Sequence, residues 1–507
     1  MSQSKRTTSR DTDLPHRPGT RHLRLTTATA ATAATLALTG GLLTATAQTA
    51  TAAPRPELTT PDADFNHDGR ADVATSASGT YVGGKAAAGA VTVTYGKEGG
   101  VGRSVAYTQN GPGVPGSAEK GDGFGADLAY GDFDDDGYDD LAVGVPGEDV
   151  GGDKDGGSVQ ILWGSPSGLK GGTTLKDPRP TRHDRFGGSL EAADFNGDKK
   201  TDLAVGTGTT AVVDILRGGF RRGGATGGHS TVKARIHGNG EVGVLNLHSG
   251  DADGDGFEDL IVNGYETTAE APNANFWIPG SRSGLKASAA KKLLPGIITD
   301  LGDVNKDGYD DVVIGTSWDD GVAGAAKGGA VNVLFGNGGG PDNDERDKIT
   351  QNTSGVPGSG EKGDSFGNEL DLGDINGDGN LDLVVGAPGE TVDGVADSGA
   401  VTVLYGKADG SGLTGRGAKL LTQNTPGVPD DDEKHDFLGS DVHVDDLNGD
   451  LRADVILGAV GENGGNGAVY PLLSQQNGSL KGTSGIYPGT AHLSGTGTPR
   501  LGANFAD

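Results

Sequence analysis

Cysteine is absent from all 507 residues, so no disulfide can staple this chain. Apolar side chains make up only 33% of it, a share that on composition alone would suggest disorder. Long apolar runs are scarce as well. Beyond the first ~52 residues nothing is long and apolar enough to span a bilayer. Two common catalytic signatures, H-E-x-x-H and the P-loop, are missing, and without cysteine there is no reactive thiol. Positive charge is in deficit: Lys and Arg number 41 against 70 Asp and Glu, a formal net charge of −29. That balance argues against nucleic acid as a partner and for a soluble surface.

The first 52 residues read as a secretory signal peptide. Lys5, Arg6, Arg10, Arg17, Arg21 and Arg24 precede an Ala/Thr/Leu stretch from Leu25 to Ala47, and Ala50-Thr51-Ala52 offers a cleavage site. The stretch is Thr-rich, broken by Gly40-Gly41 and without a basic stop-transfer flank, so a membrane anchor fits it less well. No twin-arginine pair precedes it, which favours general secretion. The expectation is therefore an extracellular chain, residues 53–507, in which bound metal does the work that disulfides do elsewhere.

Aspartate and glycine are plentiful, and they are ordered. One acidic phrase recurs seven times, with Asp at positions 1, 5 and 9 and Asp or Asn at position 3. Oxygen side chains at alternate positions of a tight loop, joined by the backbone carbonyl at position 7, suit a hard cation such as Ca2+. The first copy offers Asp64, Asn66, Asp68 and Asp72 with the carbonyl of Arg70. In the second these are Asp132, Asp134, Asp136 and Asp140 with Tyr138, and in the third Asp194, Asn196, Asp198 and Asp202 with Lys200. The fourth has Asp251, Asp253, Asp255 and Asp259 with Phe257; the fifth has Asp303, Asn305, Asp307 and Asp311 with Tyr309. Asp374, Asn376, Asp378 and Asp382 with Asn380 make the sixth, and Asp446, Asn448, Asp450 and Asp454 with Arg452 the seventh. Position 6 is Gly in five copies, where a left-handed backbone is cheap, but Lys199 and Leu451 occupy it in the third and seventh. Weaker affinity is expected there. A closing Asp at position 9 instead of a Glu at 12, with strand-like flanks, argues against an EF-hand helix pair.

Successive phrases begin 68, 62, 57, 52, 71 and 72 residues apart, a period that marks a repeat architecture. Phe124-Gly125, Phe186-Gly187, Phe366-Gly367 and Leu438-Gly439 each lie eight residues before a phrase. An apolar strand follows each phrase, such as Leu141-Ala142-Val143-Gly144 or Leu383-Val384-Val385-Gly386. A second alternating strand ends in an aromatic and Gly, as in Val401-Thr402-Val403-Leu404-Tyr405-Gly406. Each unit thus predicts an antiparallel sheet of three or four strands that cannot bury both faces alone. Radial stacking gives an all-β, seven-bladed β-propeller; an open solenoid would need polar caps at both ends. The first unit lacks a Phe-Gly, whereas Leu501-Gly502-Ala503-Asn504-Phe505-Ala506-Asp507 aligns with Phe124-Gly125-Ala126-Asp127-Leu128-Ala129-Tyr130. The C-terminal segment is predicted to close the ring as the opening strand of blade 1.

Phe-Gly, the acidic phrase and Val-Gly-Ala-Pro, most complete from Phe366 to Pro388, resemble the FG-GAP repeat family, whose best-known members form the propeller of integrin α subunits. The resemblance covers nearly all of residues 53–507. It implies that the acidic loops lie in β-hairpins on one rim and bind Ca2+, and that ligand binds on the opposite face. Departures from integrins are that all seven loops look metal-competent, that no leg domains follow and that no membrane helix is present. A free-standing, secreted, bacterial-type member is expected. Up to seven Ca2+ would be structural. Extracellular modules of this chemistry bind with dissociation constants on the order of 10⁻⁴–10⁻³ M, and tenfold excess ligand stabilises a site by roughly 1.4 kcal/mol.

Catalytic constellations are poor. Gly363-Asp364-Ser365-Phe366-Gly367 matches G-x-S-x-G, but it lies on the Phe-Gly strand with no strand-to-helix turn. His183, His435 and His443 have no visible Ser/Asp partners in order, and surface or turn roles are expected. Lys120-Gly121-Asp122 and Lys362-Gly363-Asp364 resemble tripeptides read by integrins, though their place in the repeat suggests a structural role. Thr108-Gln109-Asn110, Thr350-Gln351-Asn352 and Thr422-Gln423-Asn424 look like an inter-blade strand and turn, or the rim of a ligand site. The expected function is a monomeric binding or adhesion module for an extracellular protein or glycan, with Glu148 to Gly156 and Glu390 to Ser398 as candidate contact loops. The alternatives are an extracellular hydrolase or polysaccharide lyase working from the propeller channel, and a purely structural envelope protein.

Overall fold

The computed structural model describes residues 63–180, 185–238, 240, 242–266 and 272–506. The signal segment lies outside them, as does His183. Seven antiparallel sheets follow one another along the chain. Blade 1 comprises Val73–Ser76, Val91–Lys97 and Gly100–Tyr107, and the other six blades have four strands each, paired in sequence order. In blade 2 these are Leu128–Gly131, Asp140–Val145, Ser158–Leu162 and Gly172–Leu175. First strands of successive blades contact one another around the axis.

Radial stacking explains the composition of each strand. Second strands such as Asp140–Val145 and Asp382–Ala387 are buried throughout, because a neighbouring blade covers each face. They read as continuous small and apolar runs in place of an alternating pattern. Outer strands such as Arg346–Ile349 are largely exposed and correspondingly charged. Apolar area is therefore concentrated in a minority of residues, which is how a chain of low hydrophobicity folds.

The repeated glycines mark where blades touch. A Cβ on Gly144 would lie 2.2 Å from the carbonyl oxygen of Gly187 in the next blade; Gly386 stands in the same relation to Gly439 at 2.2 Å. No side chain fits there. The aromatic half of each motif is the adjoining plug: Phe124, Phe186 and Phe366 are fully buried.

The ring is closed from the C-terminus. Ser76 N–H donates to the Asn504 carbonyl at 2.7 Å, and Ala506 N–H to the Ala74 carbonyl at 3.0 Å. Phe505 pairs antiparallel with Thr75. Gly502 repeats the blade contact, its carbonyl oxygen 2.2 Å from a Cβ on Gly458. The segment is a short bonded run and not a full strand, so blade 1 keeps three regular strands.

Candidate metal hairpins and the central channel

In blades 2 to 7 each acidic phrase forms the hairpin between the first and second strand, as residues 132–140 do between Leu128–Gly131 and Asp140–Val145; in blade 1, where the C-terminal segment stands in for the first strand, residues 64–72 lead into Val73–Ser76, which takes the second place. All seven are built alike. The carboxylate at position 1 accepts the backbone N–H of position 5 at 2.9–3.1 Å and that of position 6 at 2.6–2.9 Å. Position 6 is left-handed in every copy, including Lys199 at φ 65° and Leu451 at φ 66°. Position 4 is left-handed too. His67, Asp135 and Lys306 adopt φ of 54–59° there, a requirement whose sequence signal was the glycine at the other four fourth positions, Gly197, Gly254, Gly377 and Gly449.

Position 9 is the most enclosed ligand candidate. Asp72, Asp140, Asp202, Asp259, Asp311, Asp382 and Asp454 are each at most 1% exposed. One oxygen of each accepts a backbone N–H from the end of the third strand at 2.7–3.0 Å, with Gly96, Gly164, Gly218, Gly280, Gly336, Gly406 and Ser474 as donors. Four of those glycines, Gly96, Gly164, Gly336 and Gly406, are the ones that follow the aromatic. A Cβ on Gly164 would meet Tyr138 Cβ at 2.7 Å, so the position-7 side chain and the third strand leave no room. Burial, with nearby carboxylates adding to it, pushes Asp72, Asp140, Asp259 and Asp311 up to about 8, Asp382 and Asp454 to about 7 and Asp202 to about 6.

The remaining candidates complete the set. Asn66, Asn196, Asn376 and Asn448 turn Nδ2 toward the position-9 carboxylate, while Asn305 accepts the Asp307 N–H at 2.9 Å. At position 5, Asp136, Asp198, Asp255, Asp307 and Asp378 accept the N–H of Tyr138, Lys200, Phe257, Tyr309 and Asn380. In the first and seventh hairpins the position-7 residues Arg70 and Arg452 instead pair with Asp68 and Asp450 at 3.5 and 2.8 Å. Carboxylate oxygens of Asp132, Asp134 and Asp136 lie within 4.8 Å of one another, and so do those of Asp251, Asp253 and Asp255. Asp134 Oδ1 and Asp450 Oδ1 are buried without a hydrogen-bond partner. Anionic oxygens gathered this closely, some of them orphaned, are a donor set that fits a hard divalent cation.

Neighbouring blades reach into these hairpins, which the repeat pattern did not reveal. Arg222 bridges Asp134 and Asp136 at 2.8 and 2.7 Å from the outer hairpin of blade 3. Asp139 accepts the Asp64 N–H at 2.8 Å, and Asp310 the Asp251 N–H at 2.7 Å, tying each hairpin to the one before it. The Ala71 N–H likewise bonds the Asp446 carbonyl at 3.0 Å across the closure.

Inside the ring of hairpins opens a cavity of about 410 Å3, lined by Tyr130, Glu191, His248, Asp300, Asp371 and His443 among others. Ser249 donates to Glu191. His443 Nδ1 lies 3.2 Å from Asp371 Oδ2. That corrects the surface or turn role expected for His443, which is 4% exposed. Burial holds His248 down to about 4, so it is neutral near pH 7. His435 pairs with Asp397 at 2.9 Å in an exposed turn. Ser365 sits at φ 61° in the turn before Phe366 and donates to the Gly363 carbonyl, with no nucleophile elbow. The Asp122 and Asp364 of the Lys-Gly-Asp tripeptides are 2–3% exposed and therefore hidden from any partner. Gln109, Gln351 and Gln423 are also buried, so of each Thr-Gln-Asn segment only the asparagine, Asn110, Asn352 or Asn424, is exposed.

Residues 62–94, 124–162, 186–213 and 366–404 match the FG-GAP repeat. The phosphatidylinositol-glycan-specific phospholipase D of Dictyostelium discoideum is 31% identical over 170 residues, covering 32% of this chain and 17% of that protein. The Bos taurus protein of the same description is 33% identical over 149 residues, covering 29% and 18%. The chain thus spans less than a fifth of the length of these relatives. Among solved structures, an Agrocybe aegerita lectin described for recognition of non-reducing terminal N-acetylglucosamine aligns with 71% of this chain and 83% of its own at 17% identity and TM-score 0.39.

Proposed function

We propose, for a chain of FG-GAP repeats closed into a seven-bladed ring, that it is a secreted, calcium-loaded binding or adhesion module for an extracellular protein or glycan. The observation that supports it is the sevenfold acidic hairpin, with one carboxylate clamped by two amides and another buried without a countercharge. The side chains at positions 1, 3, 5 and 9 and the carbonyl at position 7 would hold Ca2+, up to seven ions in all. The ion supplies positive charge where the fold has gathered negative charge; Lys199 and Leu451 at position 6 make the third and seventh hairpins the weaker ones.

The hairpins occupy one end of every second strand, and ligand contact falls to the other. There Glu148 to Gly156 and Glu390 to Ser398 are exposed or half-exposed, apart from the buried Gly156 and Ser398. The proposed module acts as a monomer. Glycan-array and cell-wall pull-down binding, each with calcium and with EDTA, tests this reading. Binding lost on chelation and regained with calcium is the expected result; no binding to any glycan or surface protein with calcium present would reject the module. The second reading, a hydrolase or polysaccharide lyase, draws on the channel, where Glu191, Asp300 and Asp371 stand with His443. Turnover on a polysaccharide panel would favour it.

A further inference from the structure

The Thr-Gln-Asn segments carry chemistry that the acidic hairpins do not use. Each glutamine follows the outer strand of one blade: Gln109 after Gly100–Tyr107, Gln351 after Arg346–Ile349 and Gln423 after Leu413–Leu421. Each is only 1–3% exposed, and each donates from Nε2 at 2.6 Å to a glutamate of the next blade, Glu148, Glu390 or Glu462. Those glutamates stand just past the second strand, at the end remote from the acidic hairpin. A six-residue strand puts about 20 Å between the two places. The linker adds two more acids to each cluster: Glu119 with Asp122, Glu361 with Asp364, and Glu433 with Asp436. Each aspartate is buried and accepts the backbone N–H of its glutamate.

Negative charge in these clusters is only partly balanced, by Lys85 near Asp122 and Lys327 near Asp364. Among the described residues, no Lys, Arg or His forms an ion pair with any of these acids. Carboxylate oxygens of Glu361, Asp364 and Glu390 lie within 4.8 Å of one another, as do those of Glu433, Asp436 and Glu462. Oxygens sharing one Ca2+ at 2.3–2.6 Å can be no more than about 5 Å apart. Independently of the acids, Oε1 of Gln109, Gln351 and Gln423 is buried without a hydrogen-bond partner, an expensive state for a carbonyl oxygen. Exchanging O and N of the amide would set Oε1 against the glutamate carboxylate, where a cation or a carboxyl proton has to lie between the two oxygens. In the first cluster Gln160 brings a second orphaned Oε1. A Cβ on Gly116 would lie 2.8 Å from Gln109 Nε2 and 3.3 Å from Gln160 Nε2, so the two amides converge.

We propose that Gln109 with Asp122 and Glu148, Gln351 with Asp364 and Glu390, and Gln423 with Asp436 and Glu462 are three further Ca2+ sites, on the face opposite the acidic hairpins. Each would bind the linker leaving one blade to the second strand of the next, and anchor the contact loops that start at Glu148 and Glu390. The third site is the weakest, because the Tyr470 hydroxyl already donates to Glu462 at 3.1 Å.

Native mass spectrometry of the full chain titrated with Ca2+ tests the assignment without reference to the acidic hairpins. The triple variant Glu148→Gln, Glu390→Gln, Glu462→Gln should hold three fewer ions than the unaltered chain at saturation and gain less melting temperature from calcium. An equal count overturns the proposal. If the variant does not fold, terbium-soaked crystals of the unaltered chain decide: anomalous peaks beside Gln109, Gln351 and Gln423 are expected, and peaks confined to the acidic hairpins refute it.

Discussion

Ring closure can be tested through one side chain. Phe505 is 2% exposed and packs in a cluster that joins Val73 and Ala90 of blade 1 to Ile456 and Val469 of blade 7. Its backbone N–H also donates to Asp441 Oδ2 at 2.8 Å. Replacing a buried Phe by Ala costs about 3–5 kcal/mol, the transfer of the ring plus the cavity it leaves. Unfolding entropy of roughly 2 cal/mol/K per residue gives a domain of this size roughly 1 kcal/mol per degree. Phe505→Ala should therefore melt about 3–5 °C lower, followed by the fluorescence of the buried Trp163 and Trp277. Phe124→Ala, in the buried contact between blades 1 and 2, is the internal standard and should cost as much. A Phe505→Ala shift within about half a degree, beside a Phe124→Ala loss of several, would mean that the C-terminus frays and the ring holds without it. Deleting residues 499–507 should lower the melting temperature sharply for the same reason.

Calcium removal and pH are linked through the buried position-9 aspartates. Their folded pKa values stand above the unfolded value, so in EDTA the folded state binds the extra protons; that stability is present at low pH and is lost as pH rises from about 4 through the folded values of about 6–8. Chelated protein should thus melt lower at pH 8 than at pH 5.5, with calcium closing the gap; an EDTA melt that is flat with pH and no lower than the calcium melt rejects both the metal and the protonation argument. Gly256 has φ 84° with nothing within 4 Å of an added Cβ, so Gly256→Leu should cost about 1–2 kcal/mol from the left-handed backbone alone. Chemical denaturation reads this directly, and an unchanged midpoint would show that the turn tolerates any residue.

The fold was legible in the sequence because each repeat states the same local demands. Asp at positions 1 and 9 fixes the hairpin through backbone N–H groups, and the Gly of each Phe-Gly and Gly-Ala-Pro marks a contact too close for a side chain. The C-terminal Leu-Gly segment betrayed closure by copying the opening of blade 2. Less of the sites was legible. The second left-handed position, filled by His67, Asp135 and Lys306, showed only as glycine in the other four hairpins. Arg222 meets Asp134 and Asp136 from 86 to 88 residues away, and Asp139 caps Asp64 from 75. No local pattern encodes such a meeting.

Sequence alone determined the number of blades, the hairpins and their oxygen donors, since these depend on spacing within a few residues of one chain segment. Tertiary structure decided which acids lose water. Only stacking one blade on the next buries position 9, draws His443 to Asp371 in the channel, and brings Gln109, Gln351 and Gln423 against carboxylates 39 residues further along. Burial is a property of what covers a residue, and much of the cover here comes from another blade.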